Sequence, residues 1–334
     1  MKARDRKILI LALIVIAFMA PLFFGAMVGR LDLATPWFYG SVISVIACFI
    51  SVRLALVLVP IAGVCAGIAV LLHPYPLLGG IFMALLAGGA AYTARRGLHS
   101  ATLMVPLFTA FPLVQPPQLA GNPPPGTLAL LTGIATLLGG LWVVLVIRVL
   151  LGSHMPHSRI KAVGARTATF YAVLMGLLVG VAAWVVLSYA PYHSGAWLLL
   201  TLIIVLQPDT HDSVQRCLQR TAGTVLGVAV AFAINLVLTS SVVLLTLATV
   251  LAFAAFVARY VMKRPYWEYT AIITPAVILM SSPTPGSITA TAEDRLFFTA
   301  VAAAVVLAIA LTLKFSYDHW YAPRHPESTS PAPA

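Results

Sequence analysis

The sequence predicts an all-α protein, a polytopic membrane helix bundle of about 12 transmembrane helices arranged as two parallel six-helix repeats. Three observations predict it. Of the 334 residues 61% are hydrophobic and 9% charged, whereas soluble domains carry about 25% charged residues. Water could not solvate a fold of this composition, so a lipid bilayer is the implied solvent and partner. The apolar runs are long and do not alternate with period two, and backbone groups in lipid need partners inside their own segment, so the runs are helices. Lastly, the chain repeats itself. AGVCAGIAV at 62–70 and AGTVLGVAV at 222–230 agree at five of nine positions, and at the same offset Trp37, Ile43 and Val45 fall on Trp197, Ile203 and Val205. AYTAR at 91–95 resembles AFVAR at 255–259, and Pro106 falls on Pro275. The expected organisation is a first repeat over 1–155, a cytoplasmic linker over 156–166, a second repeat over 167–316 and a disordered cytoplasmic tail over 317–334.

The spans follow in order. MKARDRK precedes an apolar run to Val28, which reads as a retained first helix near 8–28 or as a secretory signal. The next spans lie near 36–52, 54–72 and 77–94. Gly63 and Gly67 form a GxxxG on the third helix, and Gly223 and Gly227 form its counterpart on the ninth. Small residues four apart let another helix approach closely; a hinge or substrate groove is the alternative use. The fifth span, near 99–114, carries Pro106 and Pro112, and the loop QPPQLAGNPPPG at 115–126 is too proline-rich for a helix. Spans near 127–150 and 167–188 flank the linker. The eighth, near 195–207, has about thirteen residues, short of the ~20 that a straight span needs. The remainder fall near 219–238, 241–260, 267–282 and 296–315.

Orientation follows from lysine and arginine, which favour the cytoplasmic side. Twelve spans with both termini inside place 18 such residues on the inner side and two, Arg30 and Arg295, on the outer side. The net charge of +11 is therefore topological and requires no nucleic acid. Trp37 and Trp197 read as an outer aromatic belt, Trp267 and Trp320 as an inner one. Cys48, Cys65 and Cys217 lack the spacing of a metal site or disulfide framework, and the eight histidines form no metal motif. No nucleophile elbow, phosphate loop or paired acid arrangement marks an enzyme, and no cofactor is implied.

One polar stretch interrupts this pattern: LQPDTHDSVQRCLQRTAGTVLG at 206–227. Pro208 stops a span, and Asp209 or Asp212 can cap the next helix, with Gln215 completing a capping box after Asp212. Arg216 and Arg220 share a helix face and could draw a carboxylate to the cytoplasmic mouth; anchoring, with pairing to Asp209 or Asp212, is the alternative. The first repeat offers Arg53 alone at the matching place. Glu268 is an acid inside an expected span, a default sign of function in a membrane. It reads either as a proton carrier or as the partner of Arg264. His99 is its counterpart in the first repeat. Pro106 and Pro275, at matched positions, suggest interrupted helices lining a cavity or ordinary kinks.

The order of an apolar span followed by QPDTHDSVQRCLQRTAGTVLGVAVAF resembles the fusaric acid resistance (FUSC) family, which includes the aromatic acid exporters. Pro208, Arg216, Arg220, Gly223, Thr224 and Gly227 carry the match, and YWEYTAIITPAVILM at 266–280 resembles the segment that follows. The resemblance implies gradient-driven efflux of small carboxylated aromatics across a bacterial inner membrane, often beside a periplasmic adaptor. Larger members carry a sizeable cytoplasmic domain, where this sequence has the short linker GSHMPHSRIKAVGART. The expectation is a multi-pass inner-membrane secondary transporter for small aromatic or amphipathic carboxylic acids, with proton coupling at Glu268 and His99. The alternatives are a passive organic-anion channel and a non-transporting assembly subunit. A periplasmic adaptor and a homo-oligomer are left open as partners.

Overall fold

The computed structural model describes residues 33–119, 121–151, 162–189, 195–238, 240–281 and 285–316. The expected first span at 8–28, most of the linker and the tail lie outside them. Among the described residues every regular element is helical. The first three helices are α1 (Ala34–Cys48), α2 (Val52–Leu72) and α3 (Pro76–Tyr92). Ser51 caps α2 by accepting the Arg53 N–H at 3.2 Å, and Pro76 opens α3, where its missing N–H costs no bond. A 3-10 turn over Thr93–Arg96 ends at Gly97, whose φ of 68° is the left-handed conformation that glycine takes freely. Next come α4 (His99–Thr102), α5 (Met104–Val114), α6 (Pro125–Leu151), α7 (Ala165–Ser188) and α8 (Ala196–Val205). The last four are α9 (Thr210–Val237), α10 (Ser241–Phe256), α11 (Tyr266–Ser281) and α12 (Pro285–Ser316), with a π-turn at Val257–Val261 between α10 and α11.

Six of these are long and apolar enough to cross a bilayer: Val52–Leu72, Pro76–Arg96, Pro125–Val149, Ala165–Ser188, Asp212–Val237 and Thr289–Thr312. Four shorter apolar helices accompany them, at Ala34–Cys48, His99–Val114, Ala196–Val205 and Thr246–Arg259. Large apolar side chains point outward along the long helices, among them Val57, Val64, Leu85, Leu130 and Leu177. A water-soluble bundle would hide such faces; a bundle in lipid presents them.

Three apolar clusters make the interior. One joins α3, α5, α7 and α8 and reaches Ala302 and Val306 of α12; the second joins α1, α2 and α6; the third joins α9, α10, α11 and α12. Small residues set the seams. Gly63 meets the Gly133 carbonyl of α6, and Gly67 that of Ala129. Gly223 and Gly227 lie against Thr270, Thr274 and the α11 backbone. The matched glycine pairs thus face different helices, α6 in one case and α11 in the other. The most extensive seam uses a further GxxxG, Gly176 to Gly180, that the sequence reading did not single out: α3 packs along α7, with Gly80 and Ala84 against Gly180 and Gly88 against Ala172.

Some boundaries differ from the sequence expectation. α9 starts at Thr210 rather than 219, and α12 at Pro285 rather than 296. Hydropathy marks where the lipid-facing run begins, whereas the helix begins where the chain can be turned and capped. The fifth expected span is split at Leu103 into α4 and α5. Pro106 sits in the first turn of α5, where its lack of an N–H is harmless. Pro275 lies inside α11, which continues through it. An interruption therefore exists at one of the two matched positions.

Candidate functional site

The polar stretch resolves into three levels along α9. At its foot Ser213 closes the turn: its hydroxyl accepts the Gln207 N–H at 2.8 Å and donates to the Asp209 carbonyl at 2.9 Å. One turn of helix then separates the two arginines, and their surroundings differ. Arg216, partly buried, acts electrostatically on His99 of α4 and Tyr171 of α7. The His99 ring meets Tyr171 edge-on at 6.2 Å, and the Tyr171 hydroxyl donates to the Leu206 carbonyl at 3.0 Å. His99 is 8% exposed, and its Nδ1 has no hydrogen-bond partner among the described residues.

Arg220, one turn further in, is 3% exposed. Its Nη1 donates to the Tyr266 hydroxyl at 3.3 Å, while its Nε is unpartnered. Tyr266 opens α11, with Tyr269 beside it at 5.9 Å between ring centroids and the Arg259 guanidinium 5.7 Å from its own ring centroid. Across this corner stands Arg295 of α12, also 3% exposed. It lies ten residues inside its helix, so the outer-face position expected from charge counting is corrected to a place within the bundle. The missed signal is Pro285–Gly286, which marks a helix start well ahead of the apolar run.

The Arg295 guanidinium lies 4.0 Å from the centroid of the Trp197 ring. Trp197 meets Phe111 edge-on at 5.1 Å, and Phe111 stacks with Tyr39 at 5.4 Å. Trp197 therefore belongs to an internal aromatic row rather than to a lipid-facing belt alone. Nε and Nη1 of Arg295 are buried without hydrogen-bond partners among the described residues. The charged and phenolic groups that act on it are Arg220, Tyr269 and Tyr266; no carboxylate is among them. Thr224, one turn above Arg220, and Thr274 on α11 are likewise buried with unpartnered hydroxyls.

The remaining candidates are dispersed. Glu268 is in the first turn of α11, with Oε2 3.9 Å from Arg264 Nε and side-chain exposures of 27% and 59%. Its neighbour in the structure is thus Arg264, while those of His99 are Tyr171 and Arg216. Arg53 is exposed in the first turn of α2, and Pro106 and Pro275 are buried. The three cysteines are buried and free. Among the described residues no three His, Cys, Asp or Glu side chains cluster as metal ligands.

A family model described as fusaric acid resistance protein-like matches residues 181–309. The matched stretch holds α8 to α11 whole, most of α12, and the side chains of Trp197, Arg216, Arg220, Tyr266, Glu268 and Arg295. It supports the resemblance drawn from residues 206–227 and, with the six long apolar helices, marks a multi-pass, transporter-like membrane protein. No curated protein and no solved structure matches the chain.

Proposed function

We propose that the protein is a secondary transporter of the bacterial inner membrane that exports small aromatic or amphipathic carboxylic acids. The observation that carries this reading is the Arg220 guanidinium, buried in an apolar helical bundle with a tyrosine hydroxyl, and no carboxylate among the described residues, as its partner. A charge in lipid is costly and is retained where a pathway or ligand uses it. Arg216 draws the anion to the mouth of α9, Arg220 receives it, and the hydroxyls of Thr224 and Thr274 continue the polar line outward. The aromatic row from Trp197 to Tyr39 offers ring faces for an arene. Pairings α1–α6, α2–α6 and α2–α5 recur as α8–α12, α9–α12 and α9–α11, which supports two repeats in parallel.

Glu268 is the proposed proton carrier. Its pairing with Arg264 at a half-open helix end favours a second reading, a passive anion channel that needs no coupling group. Purified protein in liposomes separates them. A labelled aromatic acid is followed against an imposed pH gradient in wild type and in Glu268→Gln. Accumulation that the variant loses supports coupled export through Glu268. Equilibration without accumulation, unchanged in the variant, establishes the channel. Absence of flux across a panel of acids refutes both and leaves an assembly role.

A further inference from the structure

Two buried cations with no carboxylate paired to them among the described residues pose a stricter question than one. Arg220 and Arg295 come from different helices, are each 3% exposed, and repel one another. Nε of Arg220, and Nε and Nη1 of Arg295, have no hydrogen-bond partners among the described residues. Stacking on Trp197 at 4.0 Å satisfies one face of Arg295 but leaves Nε and Nη1 without partners among the described residues. Tyr266 and Tyr269 supply phenolic hydroxyls and no carboxylate. Among the groups that act on Arg295 there is no carboxylate, and Arg220 donates to a tyrosine hydroxyl. A charged pair held so far from water requires neutralisation from outside the set.

We propose that Arg220 and Arg295 together hold one small organic dianion, each guanidinium gripping one carboxylate by two hydrogen bonds, with Trp197 as the wall behind Arg295. This rests on the transport reading for its physiological role, but the site itself is a matter of binding. A monoanion would leave one of the two charges uncompensated, so the corner selects doubly charged ligands. Arg259, 5.7 Å from the Tyr266 ring centroid, adds a third positive charge near the corner and strengthens that selection.

The test uses the full chain in nanodiscs of zwitterionic phosphatidylcholine, with phthalate and benzoate as probes, read by thermal melting and by quenching of tryptophan fluorescence. Phthalate is expected to raise the Tm and to bind about tenfold or more tighter than benzoate, as a second charge-assisted fork implies. In Arg220→Gln and Arg295→Gln phthalate affinity is expected to fall about 30-fold or more, since one buried charge loses its partner. Arg295→Met should melt higher than wild type without ligand, because an uncompensated buried charge is removed, and should ignore phthalate.

Equal affinity for benzoate and phthalate overturns the proposal. So does a ligand-free Arg295→Met that melts lower than wild type, because the arginine would then be paired within the protein. Nanodiscs containing anionic phosphatidylglycerol supply the remaining arm. If that lipid alone abolishes the phthalate response, the occupant is a headgroup and the soluble dianion is refuted; an unchanged response supports it. Phthalate binding without flux in liposomes would sink the transport reading and leave the site standing. Flux without preference for the dianion would do the reverse.

Discussion

At the scale of single residues, the informative feature is the unequal fate of two arginines four positions apart. Arg216 stays partly exposed beside His99 and Tyr171, while Arg220 is buried against Tyr266. The sequence placed both on one face, which the helix period requires, but it could not say what the neighbouring helices bring to each turn. Tyr266 is the test. Tyr266→Phe removes one hydrogen bond to a charged group, worth about 1.5–3 kcal/mol, and leaves Arg220 more exposed to its own uncompensated charge. The expected outcome is a lower ligand-free Tm with the bundle intact, measured by melting in detergent. Added phthalate should restore much of the loss, since the ligand supplies the missing partner. An unchanged melting curve would mean that the 3.3 Å contact contributes nothing.

At the scale of helices, small residues decide which pairs form. Gly227 approaches α11 so closely that a Cβ there would lie 2.6 Å from that of Thr274, whereas Gly89 on α3 has nothing within 4 Å of the corresponding point. Gly227→Leu is therefore expected to destabilise by about 1–3 kcal/mol through overpacking and to displace Tyr266 and Pro275 with their helix. Gly89→Ala should melt no lower than wild type. Thermal melting of the two variants side by side checks the pair, and equal behaviour would mean that α9 and α11 separate freely. The GxxxG spacing was legible in the sequence because it is a local pattern. The α3–α7 seam was equally local on one side, where Gly176 and Gly180 form a GxxxG, but the spacing alone does not say which helix, about 90 residues away, fills the groove. Helix starts were likewise hidden: the apolar run locates the lipid, and the caps that locate the first turn lie outside it.

At the scale of the whole molecule, the class of fold was legible from composition alone, whereas the position of Arg295 was not. Counting positives placed it outside on the assumption that every arginine reports topology. Its burial at 3% removes it from that count, and the outer side then retains Arg30, which lies outside the described residues. The inner bias is thereby sharper, and it makes a firm forecast about α6. Asn122, in the turn ahead of α6, and the exposed Arg166, in the first turn of α7, are separated, among the described residues, by one apolar helix long enough to cross. The forecast is that they face opposite sides, with Arg166 on the cytoplasmic side that the positive charges favour. In a background with Cys48, Cys65 and Cys217 replaced by alanine, a membrane-impermeant maleimide should label Asn122→Cys in intact spheroplasts. Arg166→Cys should be labelled after permeabilisation alone. The reverse pattern would invert the molecule and turn the mouth at Arg216 outward, making the proposed exporter an importer. Labelling of both from one side would take α6 out of the bilayer, and with it the requirement for an odd number of crossings between the two loops.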